Sequence, residues 1–250
     1  MPPKILIAIP AYGGTVQVET MVSITGLCVA LERAGIAFRL VTDDRASIVR
    51  SRNILASVFL EDPSCTHLQF VDADLGFRPQ AIQRMLEVNA PIVGCVYAAR
   101  TLDPAKFAAA ARSLPAASAL AVASKFAVRP GNGREANAIM EVEGLCTGLM
   151  LIRRDALKDL IGSVKVQDKH DGSCGLKGPI YRFFDEFDDD SGMPLSEDYA
   201  FCTRYTRTTG RPVMAITDEW VKHVGRMVYG ARLIDLPAAT GVSAGSEARE

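Results

Sequence analysis

Two hydrophobic periods alternate through the first hundred residues. "KILIAIP" (Lys4 to Pro10) is a short continuous apolar run, which predicts a buried strand. "VETMVSITGLCVALERAG" follows with apolar positions at helical spacing and closes on Gly35, a residue suited to ending a helix. "IAFRLVT" predicts a second strand, and "SIVRSRNILASVFLED" an amphipathic helix capped by Ser47 or the aspartates before it. "HLQFVD" is the third predicted strand, "PQAIQRMLEVN" a helix entered through Pro79, and "PIVGCVY" the fourth strand. Such alternation builds a mostly parallel sheet with helices on both faces, the α/β class.

The pattern breaks after Thr101. From there to about residue 137 the chain is alanine-rich, is interrupted by Pro115 and ends in "RPGNGREAN", which predicts a turn-forming loop. Residues 101–137 are therefore expected as an insertion after the fourth strand, with short helices leading to a hairpin. "AIMEVEGL" and "TGLMLIRR" resume as strands, "DALKDLI" as a short helix, and a polar loop follows at 165–178. "SEDYAFCTRYTRTTG" predicts a helix closed by Gly210, and "PVMAIT" a further strand. Residues 1–236 are expected as a single domain, and the small, polar segment 237–250 as a flexible tail.

Composition narrows the function classes. With 28 basic and 29 acidic residues in 250, no bulk charge points to a nucleic-acid partner, so any anionic ligand must be met locally. No stretch approaches the length of a membrane span, and the N-terminus is too short in apolar residues for a signal segment. The six cysteines include no C-x-x-C pair and several lie in apolar runs, as expected of reduced core thiols in a cytoplasmic protein.

Ligands of open parallel sheets bind outside the carboxyl ends of the strands. The four tips here are Pro10 to Gly14 ("PAYGG"), Thr42 to Arg45 ("TDDR"), "DADLGF", and Tyr97 to Arg100 ("YAAR"). They bring an aromatic with flexible glycines, two acidic clusters and an arginine to one edge, which suits a nucleotide sugar. The aromatic can pack on a base, a carboxylate can accept from a base N–H, and a divalent cation can neutralise the diphosphate. Asp72 and Asp74 leave a strand at i and i+2, so they are expected to converge on one hard cation. A second Asp-x-Asp, Asp188 and Asp190, lies in a polar loop with no strand before it and lacks that setting. Neither a G-x-G-x-x-G nor a G-x-x-x-x-G-K-[ST] motif is present.

The order "IAIPAY", "TDD", "RSRN", "FVDAD", "GLMLIRR", "LSEDYAFC" and "KHVG" resembles family-2-type glycosyltransferases of the GT-A fold, from Lys4 to about Leu236. The resemblance implies that Pro10, Ala11 and Tyr12 border the base and that Asp43 or Asp44 recognises it. It places Arg52 and Asn53 near the nucleotide, with Asp72 and Ala73, and gives Asp72, Asp74 and His223 to a Mn²⁺ or Mg²⁺ ion. Asp198 or Glu197 is then the carboxylate beside the acceptor hydroxyl. The implied reaction is sugar transfer from a nucleoside-diphosphate sugar, UDP favoured over GDP, to a glycan-type acceptor. Inversion and retention both stay open. Two alternatives share the sheet: a sugar-nucleotide pyrophosphorylase, disfavoured because "PAYGGTVQ" has no basic residue, and a nucleotide-sugar-binding module without catalysis. The bland readings also stand beside these. "LSED" can be a helix cap built on Ser196, His223 a structural histidine, the arginines Arg50 and Arg52 a solvated helix face, and Trp220 and Tyr229 either rings that stack on an acceptor sugar or core residues. Gly225 is expected to let the backbone pass close to a ligand.

Overall fold

The computed structural model describes residues 2–226, so Tyr229, the domain limit at 236 and the tail 237–250 lie outside the described residues. In chain order the first elements are β1 (Lys4–Pro10), α1 (Val18–Arg33), β2 (Ala37–Asp43), α2 (Ile48–Glu61) and β3 (His67–Val71). Next come β4 (Leu75–Gly76), α3 (Pro79–Val88), β5 (Ile92–Cys95), β6 (Ala98–Leu102), α4 (Pro104–Ala110), α5 (Ala116–Ala123) and β7 (Ser124–Phe126). The chain continues through β8 (Val128–Ala136), β9 (Ile139–Leu145), β10 (Leu149–Arg153) and α6 (Arg154–Leu160). The short strands β11 (Val166–Gln167), β12 (Ile180–Tyr181), β13 (Phe187–Asp188) and β14 (Pro194–Leu195) precede α7 (Glu197–Thr209), β15 (Val213–Ile216) and β16 (Lys222–His223).

Eight strands form the central sheet in the order β2-β1-β3-β10-β5-β15-β9-β8. The β1–β2, β1–β3 and β5–β15 pairs are parallel, while β10 runs antiparallel to β3 and β5, and β9 antiparallel to β15 and β8. Only β9 and β10 therefore oppose the common direction, so the sheet is mostly parallel, as the alternation predicts. Side-chain alternation splits the core into two layers. Leu6 and Ala8 of β1, with Met150 and Ile152 of β10, pack against Phe59 of α2, Leu157 of α6 and Phe201 of α7. Ile5, Ile7 and Ile9, with Leu149 and Leu151, pack against Leu27 of α1 and Ile82 of α3. Helices cover both faces.

Local signals act where expected. Ser47 accepts from the Arg50 N–H at the start of α2, Pro79 opens α3, and Gly210 closes α7 in the left-handed region. All six cysteines are free thiols, three of them buried and three half-buried. No described helix is long and apolar enough to cross a membrane.

The 101–137 segment needs one correction. Its alanine-rich part does form two short helices, but "RPGNGREAN" is not a loop: it lies almost wholly within β8, the outermost strand of the sheet. Proline and glycine are tolerated there because an edge strand pairs on one side only, and the β8–β9 register shifts around Pro130. Asn137 and Ala138, both with positive φ, make the tight turn into β9.

The sheet centre has no spare room. A Cβ at Gly94 of β5 would lie 2.7 Å from the Leu149 carbonyl oxygen and 2.8 Å from Leu145 Cδ2. The oxygen belongs to a paired backbone and cannot move aside. Gly94→Ala is thus expected to destabilise the protein by about 1–3 kcal/mol, the usual range for overpacking. An unchanged midpoint in chemical denaturation would refute this close approach.

Candidate functional site

At the end of β3 the apolar run stops at Val71 and the chain leaves the sheet as Asp72. The Asp72 N–H donates to the Gly148 carbonyl at 2.8 Å. A side chain at position 148 would strike both the Tyr97 hydroxyl and the Asp72 carboxylate, so these two groups meet over a glycine. Beneath them lies Arg52 of α2, whose side chain is only 2% exposed. Its Nη2 is 3.1 Å from Asp72 Oδ1 and 3.6 Å from Asp198 Oδ1, and its Nε is 3.5 Å from Glu197 Oε1. One buried guanidinium thus faces three carboxylates.

The electrostatic consequences follow from that ratio. Burial works against the charge on Arg52, but Asp72, Asp198 and Glu197 outweigh it and hold the guanidinium more firmly protonated than usual. Burial, then the neighbouring Asp198, push Glu197 up to about 7 against the pull of Arg52. Asp72 is also raised, by burial first, with Arg52 opposing. Asp198 Oδ1 accepts the Thr147 N–H at 3.1 Å. The helix-cap reading of "LSED" fails in its bonding: Ser196 sits at the cap position, yet its hydroxyl makes no capping hydrogen bond, and both acids turn toward Arg52.

Asp74 faces the other way. Its Oδ2 accepts from Arg100 Nη1 at 2.8 Å and lies 3.5 Å from His223 Nε2. Pairing of β4 with β16 sets His223 opposite Leu75, and the Val224 N–H donates to the Asp74 carbonyl at 2.8 Å. His223 Nδ1 is 3.0 Å from the Ala98 carbonyl, to which it can only donate. In the neutral ring this fixes the proton on Nδ1 and leaves the Nε2 lone pair turned to Asp74. Burial acts to raise the Asp74 carboxyl, but the protonated form of His223, whose Nε2–H can donate to it, and Arg100 prevail and keep it below its ordinary value.

A cavity of about 840 Å³ opens at this edge, with Pro10, Tyr12, Asp72, Ala73, Asp74 and Arg100 among its walls. That volume falls in the range of small-molecule sites. Tyr12 is 71% exposed, so its ring is free to receive a flat ligand face. Thr15, Gln17, Ile48 and Arg226, which the motifs do not mark, also line the cavity.

Other expected site residues stand behind this wall. Ala11 is buried, its N–H donating to the Asp43 carbonyl at 2.7 Å, and exposed Asp44 accepts through its carbonyl from Gly13. Asp43 is buried; Oδ1 accepts from Arg45 Nε at 3.1 Å, and Oδ2 has no hydrogen-bond partner among the described residues. The polar loop at 165–178 folds against this tip, with Arg45 also donating to Asp171 at 2.9 Å.

Several expectations are corrected. Asn53 does not face the nucleotide side: its amide accepts from the Phe184 N–H and donates to Asp185, which fixes it inside the protein. Arg52 neither lines the cavity nor forms a solvated face, because it is itself buried and its charge is engaged by the three carboxylates. Asp72 and Asp74 do not converge on one point. The chain turns as soon as it leaves β3, with the Leu75 N–H on the Asp72 carbonyl at 3.2 Å, so the two side chains part. Asp190, of the second Asp-x-Asp, pairs with Arg207 at 2.8 Å on the surface. Trp220 is 66% exposed and is no core residue. Gly225 lies against the Arg100 stem and also lines the cavity.

Among the described residues no three His, Cys, Asp or Glu side chains are grouped as a metal cage. The Asp74–His223 pair nevertheless fits a divalent cation. A carboxylate and an oriented imidazole lone pair make a two-residue anchor, and Mg²⁺-type sites commonly use one or two carboxylates with substrate phosphates completing the shell. Imidazole favours Mn²⁺ within that class.

Removing Arg52 tests the inner cluster. Arg52→Met leaves three carboxylates, one buried and two partly buried, without their cation and is expected to cost about 3–5 kcal/mol near neutral pH. The acids then bind protons more tightly in the native than in the unfolded state, so the loss should shrink as pH falls from about 8 to about 5. Denaturant titrations of both proteins at the two pH values measure it. An equal loss at both would mean that packing, not charge, is what Arg52 supplies.

No family model and no curated protein matches this chain. Among solved structures, A197 from STIV is similar at 16% identity and TM-score 0.48, over 89% of this chain and 86% of that one. The inositol-1-phosphate CTP transferase from T. maritima aligns at 10% identity and TM-score 0.42, over 89% of each chain. A glycosyltransferase involved in glycosylation of the major capsid of PBCV-1 aligns at 11% identity and TM-score 0.34, over 63% of this chain and 62% of that one. Likenesses this distant identify no family.

Proposed function

We propose that this protein is a GT-A-type glycosyltransferase that moves a sugar from a nucleoside-diphosphate sugar, UDP favoured, to a hydroxyl acceptor. The observation that carries the reading is the contact of Asp74, on a cavity wall that also carries an exposed tyrosine, with His223, about 150 positions away in sequence and next to the lining residue Val224. Tyr12 and Pro10, both on the cavity wall, would take the base. Asp74 and His223 would hold a Mn²⁺ or Mg²⁺ ion, which supplies positive charge against the oxygens of the departing diphosphate.

Of the two acids at the start of α7, Glu197 suits proton transfer better. Asp198 is engaged by the Thr147 N–H, whereas Glu197 is held near neutrality and keeps a 13% exposed side chain. In an inverting reaction Glu197 takes the acceptor hydroxyl proton while that oxygen attacks the anomeric carbon. The bond from that carbon to the phosphate oxygen breaks, and its electron pair leaves with the nucleoside diphosphate. In a retaining reaction the same carboxylate orients the substrates.

Calorimetry tests the binding half. UDP or GDP should bind at least about tenfold more tightly with Mn²⁺ than with EDTA, a difference of about 1.4 kcal/mol. Asp74→Asn should abolish that difference while the fold persists, and equal wild-type affinity with and without metal would sink the reading.

The pH profile tests the chemical half. A base must be ionised, so kcat/KM should rise with pH through about 7, where Glu197 loses its proton. Glu197→Gln should lower turnover by about 10²–10⁴ and remove that limb. If Asp198→Asn proves the more damaging change with the limb intact in Glu197→Gln, the base is Asp198.

A further inference from the structure

Arg100 begins the excursion after the fourth predicted strand, and its guanidinium lies on the cavity wall against Asp74. Building on the reading of this cavity as a diphosphate site, we propose that Arg100 is a diphosphate-binding residue, held on Asp74 until a divalent cation takes that carboxylate.

Three observations support the assignment. First, the side chain is 54% exposed and its one ion pair among the described residues is with Asp74 Oδ2, the oxygen that also faces His223. An oxygen accepting a charge-assisted hydrogen bond cannot offer the same lone pair to a cation, so the two compete. Second, the "KHVG" turn is shaped around this arginine. A Cβ at Gly225 would lie 2.8 Å from Arg100 Cδ and 3.1 Å from its Cγ, so any other residue there would displace the stem. The glycine lets the turn carrying His223 and the stem of Arg100 lie against each other, which aims both at Asp74. Third, Arg226 lines the same cavity, so a released Arg100 faces a space with a second cation on its wall. A guanidinium freed from a carboxylate keeps a planar fork of donors that matches phosphate oxygens bidentately.

Displacement gives the two effects of Arg100 opposite signs. Its removal should strengthen binding of the cation alone and weaken binding of the diphosphate. A purely structural ion pair would do neither.

Titration calorimetry on the wild-type protein, Arg100→Met and Arg100→Lys measures both, with Mn²⁺ alone, inorganic pyrophosphate plus Mn²⁺, and uridine as probes. Arg100→Met should bind Mn²⁺ about threefold more tightly and pyrophosphate about tenfold more weakly, the latter equal to about 1.4 kcal/mol. Uridine affinity should not change, and Arg100→Lys, which keeps charge without the fork, should fall between. Unchanged pyrophosphate affinity in Arg100→Met overturns the phosphate role, and unchanged or weaker Mn²⁺ binding overturns the competition. A parallel loss for uridine and pyrophosphate indicates a damaged site and also overturns the proposal, as does a wild-type protein that binds no pyrophosphate. If pyrophosphate behaves as expected while UDP and GDP bind no better than pyrophosphate, the glycosyltransferase reading falls and the role of Arg100 stands.

Discussion

The buried guanidinium of Arg52, set against Asp72, Glu197 and Asp198, is the interaction on which the candidate site depends. It joins α2, the tip of β3 and the start of α7, elements far apart in sequence. Such a cluster is a poor source of stability. Each pair attracts by about 4–5 kcal/mol at these separations and an effective dielectric of about 20, while desolvating each ion costs several kcal/mol. Apolar side chains of the same volume would hold the three elements together as well. What they could not do is create an acid that loses its proton near pH 7. Burial, then Asp198 beside it, raises Glu197 to about 7, and Arg52 holds that rise in check. The cluster therefore makes chemical sense where it makes little energetic sense.

Elements were legible in the sequence because period and punctuation agree there. "KILIAIP" could be little other than a buried strand, and Ser47, Pro79 and Gly210 mark helix ends through bonds and φ values that the structure reproduces. Legibility failed where tertiary context overrides a local rule. "RPGNGREAN" carries every mark of a loop and becomes strand because the sheet edge makes no demand on one side of it. The reversed direction of β10, between β3 and β5, has no local signature at all, since strand direction is set by which neighbours accept it.

The site shows the same division. Asp72, Asp74, Glu197, Asp198 and His223 could be picked out one by one, but not who faces whom. Spacing at i and i+2 puts two side chains on one face only while the chain stays extended. The turn closed by the Leu75 N–H ends that condition within the motif itself, so Asp72 meets Arg52 while Asp74 meets Arg100 and His223. Arg52 was misplaced for a related reason. A helix surface is normally wet, and nothing in "RSRN" reveals that acids from β3 and α7 close over one arginine and not over its neighbour Arg50.

The three residues between those two destinations are fixed by main-chain bonds to three different parts of the fold. The Asp72 N–H reaches Gly148 just ahead of β10, the Ala73 carbonyl accepts the Gln17 N–H at the start of α1, and the Asp74 carbonyl accepts the Val224 N–H beyond β16. None of these bonds involves a side chain. Exchange of partners at the Asp74 carboxylate can then proceed by rotation of side chains, on the ps–ns scale of exposed rotamers, with no loop closure on the slower scale of segment motion. Asp72 is carried on the same fixed backbone and held by Arg52, while the charge on Asp74 still acts on it through space. The two arginines thus meet different carboxylates of one motif, Arg52 the first and Arg100 the second, and the fixed backbone between them keeps those pairings apart.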